Sequence, residues 1–236
     1  MTSLLLLAVS APIQSQSIAD YVPGNFEDAS FTAKGKVGPV SKLPKVNGDL
    51  TQSHRIKESK VALKEPFMVR VDANIDGDTS ASFILNGAKR LFKVPRAKIA
   101  VRQDLSGKPG QRQTVLDFGI ITPALFNDFF QAKFVRIDRG TEDAVFDLTY
   151  VSRLNDTSRH RVWIDQAKKI ITKREWYSQR GKQVATFFYS GPVQSGGIWV
   201  STKCSVRNND NEVAGETVYE DVKANTGLPD SLFSVK

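Results

Sequence analysis

A mainly β (α+β) fold, an antiparallel sheet with one apolar face, is predicted by three observations. From Arg161 to Phe233 the chain runs in short alternating segments that end in Asp-, Gly- or Asn-bearing turns. Large apolar residues fall on one face of these segments and Lys, Arg and Glu on the other. Asn86-Gly87, two residues that tolerate positive φ, lie between 81–85 and 90–94 as a hairpin turn. The best helical pattern in the chain is short, covering 124–132.

Taken in order, residues 4–9 are a short apolar run followed by small and polar residues, the pattern of a secretory leader. Residues 1–19 are expected to be a signal peptide or its remnant, and 20–236 one domain. Residues 26–37 read as the first strand, with Phe31, Ala33, Gly35 and Val37 on one face, and 38–49 as a Pro/Gly-bearing loop. In 51–63, Ile56 and Val61 fall on opposite faces by parity, which implies a bulge or a long edge strand. After the break at Glu65-Pro66, Phe67, Val69 and Val71 begin a new alternation, and Pro95 ends the hairpin that follows. The basic segment 103–113 is expected to be a surface loop or a lid hinge. Thr122 and Pro123 supply an N-cap and a first-turn proline to the helix 124–132. There Leu125, Phe126, Phe129 and Phe130 share one side, and Asn127, Asp128 and Gln131 the other. Strands are expected at 133–137, 144–151, 159–165, 170–179, 183–190, 198–206 and 216–223.

The net charge of +8 favours anionic partners. Lys and Arg are spread along the strands rather than gathered on one helix or loop, so solvation or an anionic membrane surface is expected and nucleic acid is not. Cys204 is the only cysteine, which leaves no internal disulfide, no cysteine-based metal site and no lipobox behind the leader. His54 and His160 lie in polar segments with no metal-ligand spacing. No nucleophile elbow or phosphate cradle occurs, and Ser195-Gly196-Gly197 reads as a turn. Lys173, Arg174, Trp176 and Tyr177 read as a strand with one wet and one core-facing side rather than a base-stacking surface. A non-enzyme is expected, with no catalytic residue, no metal and no cofactor.

Three motifs carry a resemblance. Val162-Trp163-Ile164-Asp165, then Gly197-Ile198-Trp199, then Asp221-Val222-Lys223-Ala224-Asn225 with Leu228-Pro229-Asp230-Ser231-Leu232-Phe233 resemble, in this order, the LolA-like outer-membrane lipoprotein-sorting proteins. The match is good over roughly the last 100 residues and weaker upstream. It implies a strongly curved antiparallel half-barrel with a helical lid, which carries lipids or lipid-modified proteins across an aqueous periplasm. Two family features are not placed: the long helix before the first strand, since 18–26 contains Pro23 and Gly24, and the arginine that anchors the lid.

The Phe-rich helix has two readings: an ordinary amphipathic helix closing a β core, or a movable plug whose rings yield to an acyl chain. Each buried methylene contributes about 0.8 kcal/mol, so one lipid tail can repay the lost ring burial. On the second reading the protein is an extracytoplasmic, periplasmic carrier of acyl chains, monomeric, with lipid or acylated protein as cargo. Leu125, Phe126, Phe129 and Phe130 form the lid. Phe146, Leu148 and Tyr150 form part of the wall, with either Ile198 and Val200 or, on the other parity, Trp199 nearby. The alternative is an envelope interaction or sensor module on the same fold that binds a protein segment, to be told apart by whether the cavity is open or filled by the chain's own side chains.

Overall fold

The computed structural model describes residues 16–37, 42, 45, 46 and 55–236. Most of the leader and of the loop 38–49, together with residues 51–54, lies outside the described residues. The strands are β1 (Asp28–Val37), β2 (Ile56–Lys64), β3 (Met68–Ile75), β4 (Thr79–Asn86), β5 (Lys89–Val94), β6 (Ile99–Asp104) and β7 (Phe130–Ile137). They continue as β8 (Ala144–Tyr150), β9 (Arg159–Asp165), β10 (Ile170–Tyr177), β11 (Gln183–Ser195), β12 (Ile198–Asn208) and β13 (Val213–Ala224). Among the described residues the one α-helix, α1, spans Leu125–Asp128. Ahead of β1 there is a 3-10 turn, Ile18–Tyr21, and no long helix among the described residues.

The thirteen strands of the described residues form one open antiparallel sheet in the order β6-β5-β4-β3-β2-β1-β13-β12-β11-β10-β9-β8-β7. The first and last strands therefore meet in the middle, and each neighbour outward is a hairpin partner in sequence. Strands ~4.8 Å apart would make a flat sheet on the order of 60 Å wide. The chain must nevertheless pass from edge β6 to edge β7 through residues 105–129, a segment shortened by 3-10 turns at Pro109–Gln111 and Val115–Phe118 and by α1. The sheet meets that constraint by curling into a half-barrel. Register shifts at Ser30/Thr32, Ile56/Ser59, Phe134/Arg136, Ile171/Lys173, Trp176/Tyr177 and Val206/Arg207 are the irregularities that bend it. The shift at Ile56/Ser59 is the bulge that the parity of Ile56 and Val61 implies.

One apolar cluster fills the inner face, drawing Phe31, Leu63, Val69, Leu85, Phe146, Val162, Tyr189 and Val200 from strands across the whole sheet. A smaller cluster on the outer face packs Ile84 and Leu91 under Phe233. That gives the C-terminal motif a structural role: it is an external strap. Its origin is held by Asp28, only 1% exposed, whose carboxylate accepts from the Thr226, Gly227 and Leu228 backbone N–H groups at 2.9, 2.9 and 3.0 Å and from the Thr226 hydroxyl at 3.1 Å.

Burial pushes the Asp28 carboxyl up, but those hydrogen bonds outweigh it and hold the group below the usual carboxylate range. A group depressed in the folded state stabilises above its unfolded pKa of about 3.9 and loses that contribution as pH falls through the lower folded value. Asp28→Ala is expected to cost about 2 kcal/mol, since it removes the charged acceptor of three part-buried N–H donors. Urea unfolding across pH should show a gap between wild type and variant that is flat from pH 8 to 5 and narrows below about pH 4.

Candidate functional site: an aromatic plug across the concave face

The segment 105–129 crosses the concave side and buries Leu105, Val115, Leu116, Ile120, Ile121, Leu125 and Phe129 in the inner cluster. It acts as a plug. Phe129 is its keystone, with ring centroids 5.1 Å from Phe67 on one wing and 4.8 and 5.2 Å from Phe130 and Tyr150 on the other. Phe67 sits at φ 54, a region a bulky side chain rarely adopts. The Arg112 guanidinium lies 4.6 Å from the Phe129 centroid and 4.9 Å from that of Phe67.

The residues expected to form the site are brought together. Leu125, Phe129, Phe130, Phe146, Leu148, Tyr150, Ile198 and Val200 are all buried in the one inner cluster, and Phe126 packs against it half-buried. The parity left open around Trp199 resolves with Ile198 and Val200 inward; Trp199 lies under the Lys168 ammonium at 5.8 Å.

Two expectations need correction. The helix is a single turn, Leu125–Asp128, because Phe130 pairs with Tyr150 and already belongs to β7. Phe130 is thus part of the sheet rather than of the helix. The hollow expected beneath 124–132 is also occupied by the chain's own side chains. A cleft of about 840 Å³ lies at the tips of β2–β4, lined by residues including Arg55, Asp72 and Ser82. Another of about 330 Å³ lies between Gly107–Gln111 and Trp176. Neither touches residues 124–132.

The plug is fastened to the sheet by polar contacts. Arg174 on β10, 3% exposed, donates from Nη1 to Asp117 Oδ1 at 2.9 Å. The Tyr189 hydroxyl donates to the Leu116 carbonyl at 3.3 Å, and the Ile171 N–H to the Gly119 carbonyl at 3.4 Å. Asp117 serves twice, since its other oxygen accepts from the Thr114 N–H at 3.0 Å in a capping box. Arg174 is the latch that sequence reading missed. Its signal was its alternation with Trp176, masked because the bulge at Ile171/Lys173 reverses parity within β10. Cys204 lies in the same interior, where burial pushes its thiol up to about 12 and disfavours the thiolate. Among the described residues no group of three or more His, Cys, Asp or Glu is placed to hold a metal ion.

Gly119 fits this junction because nothing larger does. Its φ is +78, and a Cβ would stand 2.6 Å from Tyr189 Cδ1. Gly119→Ala combines a left-handed backbone cost of about 1 kcal/mol with that clash. It is expected to speed amide hydrogen exchange across 115–121 at least tenfold while exchange in β9–β12 changes little.

A family model described as "Uncharacterized protein" matches residues 130–236, which hold β7–β13 and the strap. No curated protein matches. Among solved structures, a LolA superfamily protein from Nitrosomonas europaea superposes with a TM-score of 0.60 at 18% identity, covering 92% of this chain and 94% of that one. An outer membrane lipoprotein-sorting protein domain from Vibrio parahaemolyticus gives 0.56 at 15%, covering 92% of each chain. A DUF1329 family protein from Desulfovibrio piger gives 0.57 at 12%, covering 89% and 90%. The class defined is an open, curved antiparallel sheet with a plug across its concave side. The fold is similar to that of these solved structures, and the likeness extends over nearly the whole chain, beyond the C-terminal motifs that carry the resemblance in the sequence.

Proposed function

We propose that the protein is a non-enzymatic extracytoplasmic carrier, which takes acyl chains of lipids or lipid-modified proteins onto its concave face and passes them between membranes. The plug is displaced on loading, and Leu125, Phe126, Phe129, Phe130, Phe146, Leu148, Tyr150, Ile198 and Val200 become the surface the chains pack against. Residues 1–19 export the protein, 20–236 form its one domain, and it acts as a monomer that docks through its positive surface on anionic membrane. No helix among the described residues is long and apolar enough to cross a membrane.

The observation that carries this reading is the contrast between the plug's two kinds of attachment. Its apolar residues make the non-directional contacts that an alkyl chain also makes, whereas its polar hold on the middle of the sheet is the Arg174–Asp117 ion pair and a few hydrogen bonds from Tyr189 and Ile171, its other polar contacts lying at its two ends, through Leu105, Asp128 and Phe129. A solved structure of the same fold carries a lipoprotein-sorting name. The test is native mass spectrometry after incubation with vesicles of mixed bacterial phospholipids. Retention of about one lipid per protein supports the carrier; bare protein at every lipid concentration overturns it.

Two observations favour a second reading, a module that binds a protein segment. Edge strand β6 is exposed at all six residues, with Ile99 and Val101 44% and 46% exposed, and the interior is already filled. An extended peptide adding to that edge would need no opening of the plug.

A further inference from the structure

We propose that Arg112, His160 and Arg174 form a recognition site for an oxyanion headgroup, phosphate or carboxylate, so that the carried amphiphile is anionic rather than neutral. The inference rests on the carrier reading and specifies its cargo. Three nitrogens of these residues, Arg112 Nε, His160 Nδ1 and Arg174 Nε, are buried with no hydrogen-bond partner. Buried polar groups are ordinarily paired, and an unpaired buried cation is costly. The three are linked through the plug's aromatic cluster. Arg112 caps Phe129, Phe129 meets Tyr150 and Phe130, and Phe130 stands edge-on to the His160 ring at 5.8 Å. Arg174 is near enough to depress His160, which burial already pushes well below its ordinary value, so the imidazole is neutral and can donate a hydrogen bond.

The charge balance points the same way. Two guanidiniums face this cluster; Asp117 pairs with one of them, and Asp156, the other carboxylate near Tyr150, accepts from Ser158 and pairs with neither. Arg112 has no ion-pair partner among the described residues, and burial lowers its basicity. In the closed state the rings of Phe67 and Phe129 compensate it by cation–π contact. An acyl chain that displaces Phe129 removes one of those rings and leaves the guanidinium more exposed to apolar surroundings. A headgroup oxyanion arriving with the chain replaces what is lost, through the bidentate geometry that arginine offers to phosphate and carboxylate. Chain and headgroup are thus recognised together, and a neutral diacyl lipid opens the plug without that compensation.

The test compares dioleoyl phosphatidic acid, oleic acid, dioleoylglycerol and inorganic phosphate by native mass spectrometry and competition. Phosphatidic acid and oleate are expected to outcompete dioleoylglycerol at least tenfold, with inorganic phosphate neither retained nor competing. Arg112→Gln should reduce the preference to about twofold or less, and Arg112→Lys, which keeps the charge but not the bidentate fork, should restore only part of it. Equal retention of phosphatidic acid and dioleoylglycerol by wild type overturns this proposal and leaves the carrier reading standing. Competition by millimolar inorganic phosphate overturns the lipid origin of the anion. Retention of no lipid at all removes both the proposal and the reading beneath it.

Discussion

Asp117→Asn is expected to release the plug, at a cost of about 3 kcal/mol in the stability of the closed state. Arg174 is 3% exposed, and removing the carboxylate leaves its guanidinium buried without a counter-charge, which typically costs about 3–5 kcal/mol. The lower end applies because the Asp117 side chain is one-third exposed and water can approach its place. Asparagine is the informative substitution, because its carbonyl oxygen can still accept from the Thr114 N–H and preserve the capping box. The expected signature is local: amide exchange across 115–121 accelerates by about a hundredfold, and uptake of a fluorescent fatty acid becomes faster. Adding Arg174→Met should recover much of the lost stability, because an apolar residue removes the unpaired charge. A lowered melting temperature with uptake at the wild-type rate would show that the ion pair supports the fold and does not gate it.

Sheet architecture was legible in the sequence wherever alternation was unbroken. Phe146, Leu148 and Tyr150 share a face by period two, and all three are buried on the concave side. Asn86-Gly87 marks the β4–β5 turn, with Gly87 at φ 60. Strand β6 was not legible, because its six residues are all exposed and no alternating burial shaped their types. The helix was overextended for a physical reason. Leu125, Phe126, Phe129 and Phe130 satisfy helical spacing, but Phe130 and Ala132 equally satisfy strand pairing with Tyr150 and Leu148, and the sheet's ladder prevails.

Most of the plug escaped for a different reason. Leu105, Val115, Leu116, Ile120 and Ile121 stand among Gly, Pro and Gln with no period, and are buried only because the chain must cross from one sheet edge to the other. Arg174 escaped with them. A Lys-Arg-Glu run looks solvated until the bulge at Ile171/Lys173 sets its middle residue facing inward. The site's membership was therefore readable from side-chain type and parity, while its closure depends on topology.

Phe129→Ala is the second substitution with a large expected effect, and its two possible consequences separate a core residue from a displaceable one. The ring is 1% exposed and meets Phe67, Phe130, Tyr150 and Arg112, so truncation should cost about 3–5 kcal/mol through lost burial and the cavity left behind. An apolar cavity stays dry and is available to an apolar guest. If the plug yields to acyl chains, the truncated protein starts with part of the displacement already made. Its affinity for a fluorescent fatty acid should then rise severalfold, and saturating ligand should restore much of the lost melting temperature. Phe129→Asp should lose similar stability but take up less fatty acid than wild type, because the carboxylate lies where the chain must run and repels its headgroup. The β-sheet circular dichroism of both variants should remain, since the ring belongs to the plug and the sheet's hydrogen bonds do not pass through it. Equal destabilisation in the two variants with uptake unchanged in both would place Phe129 in the ordinary core. The plug would then be a permanent part of the fold, and the exposed β6 edge would become the surface to examine for a partner.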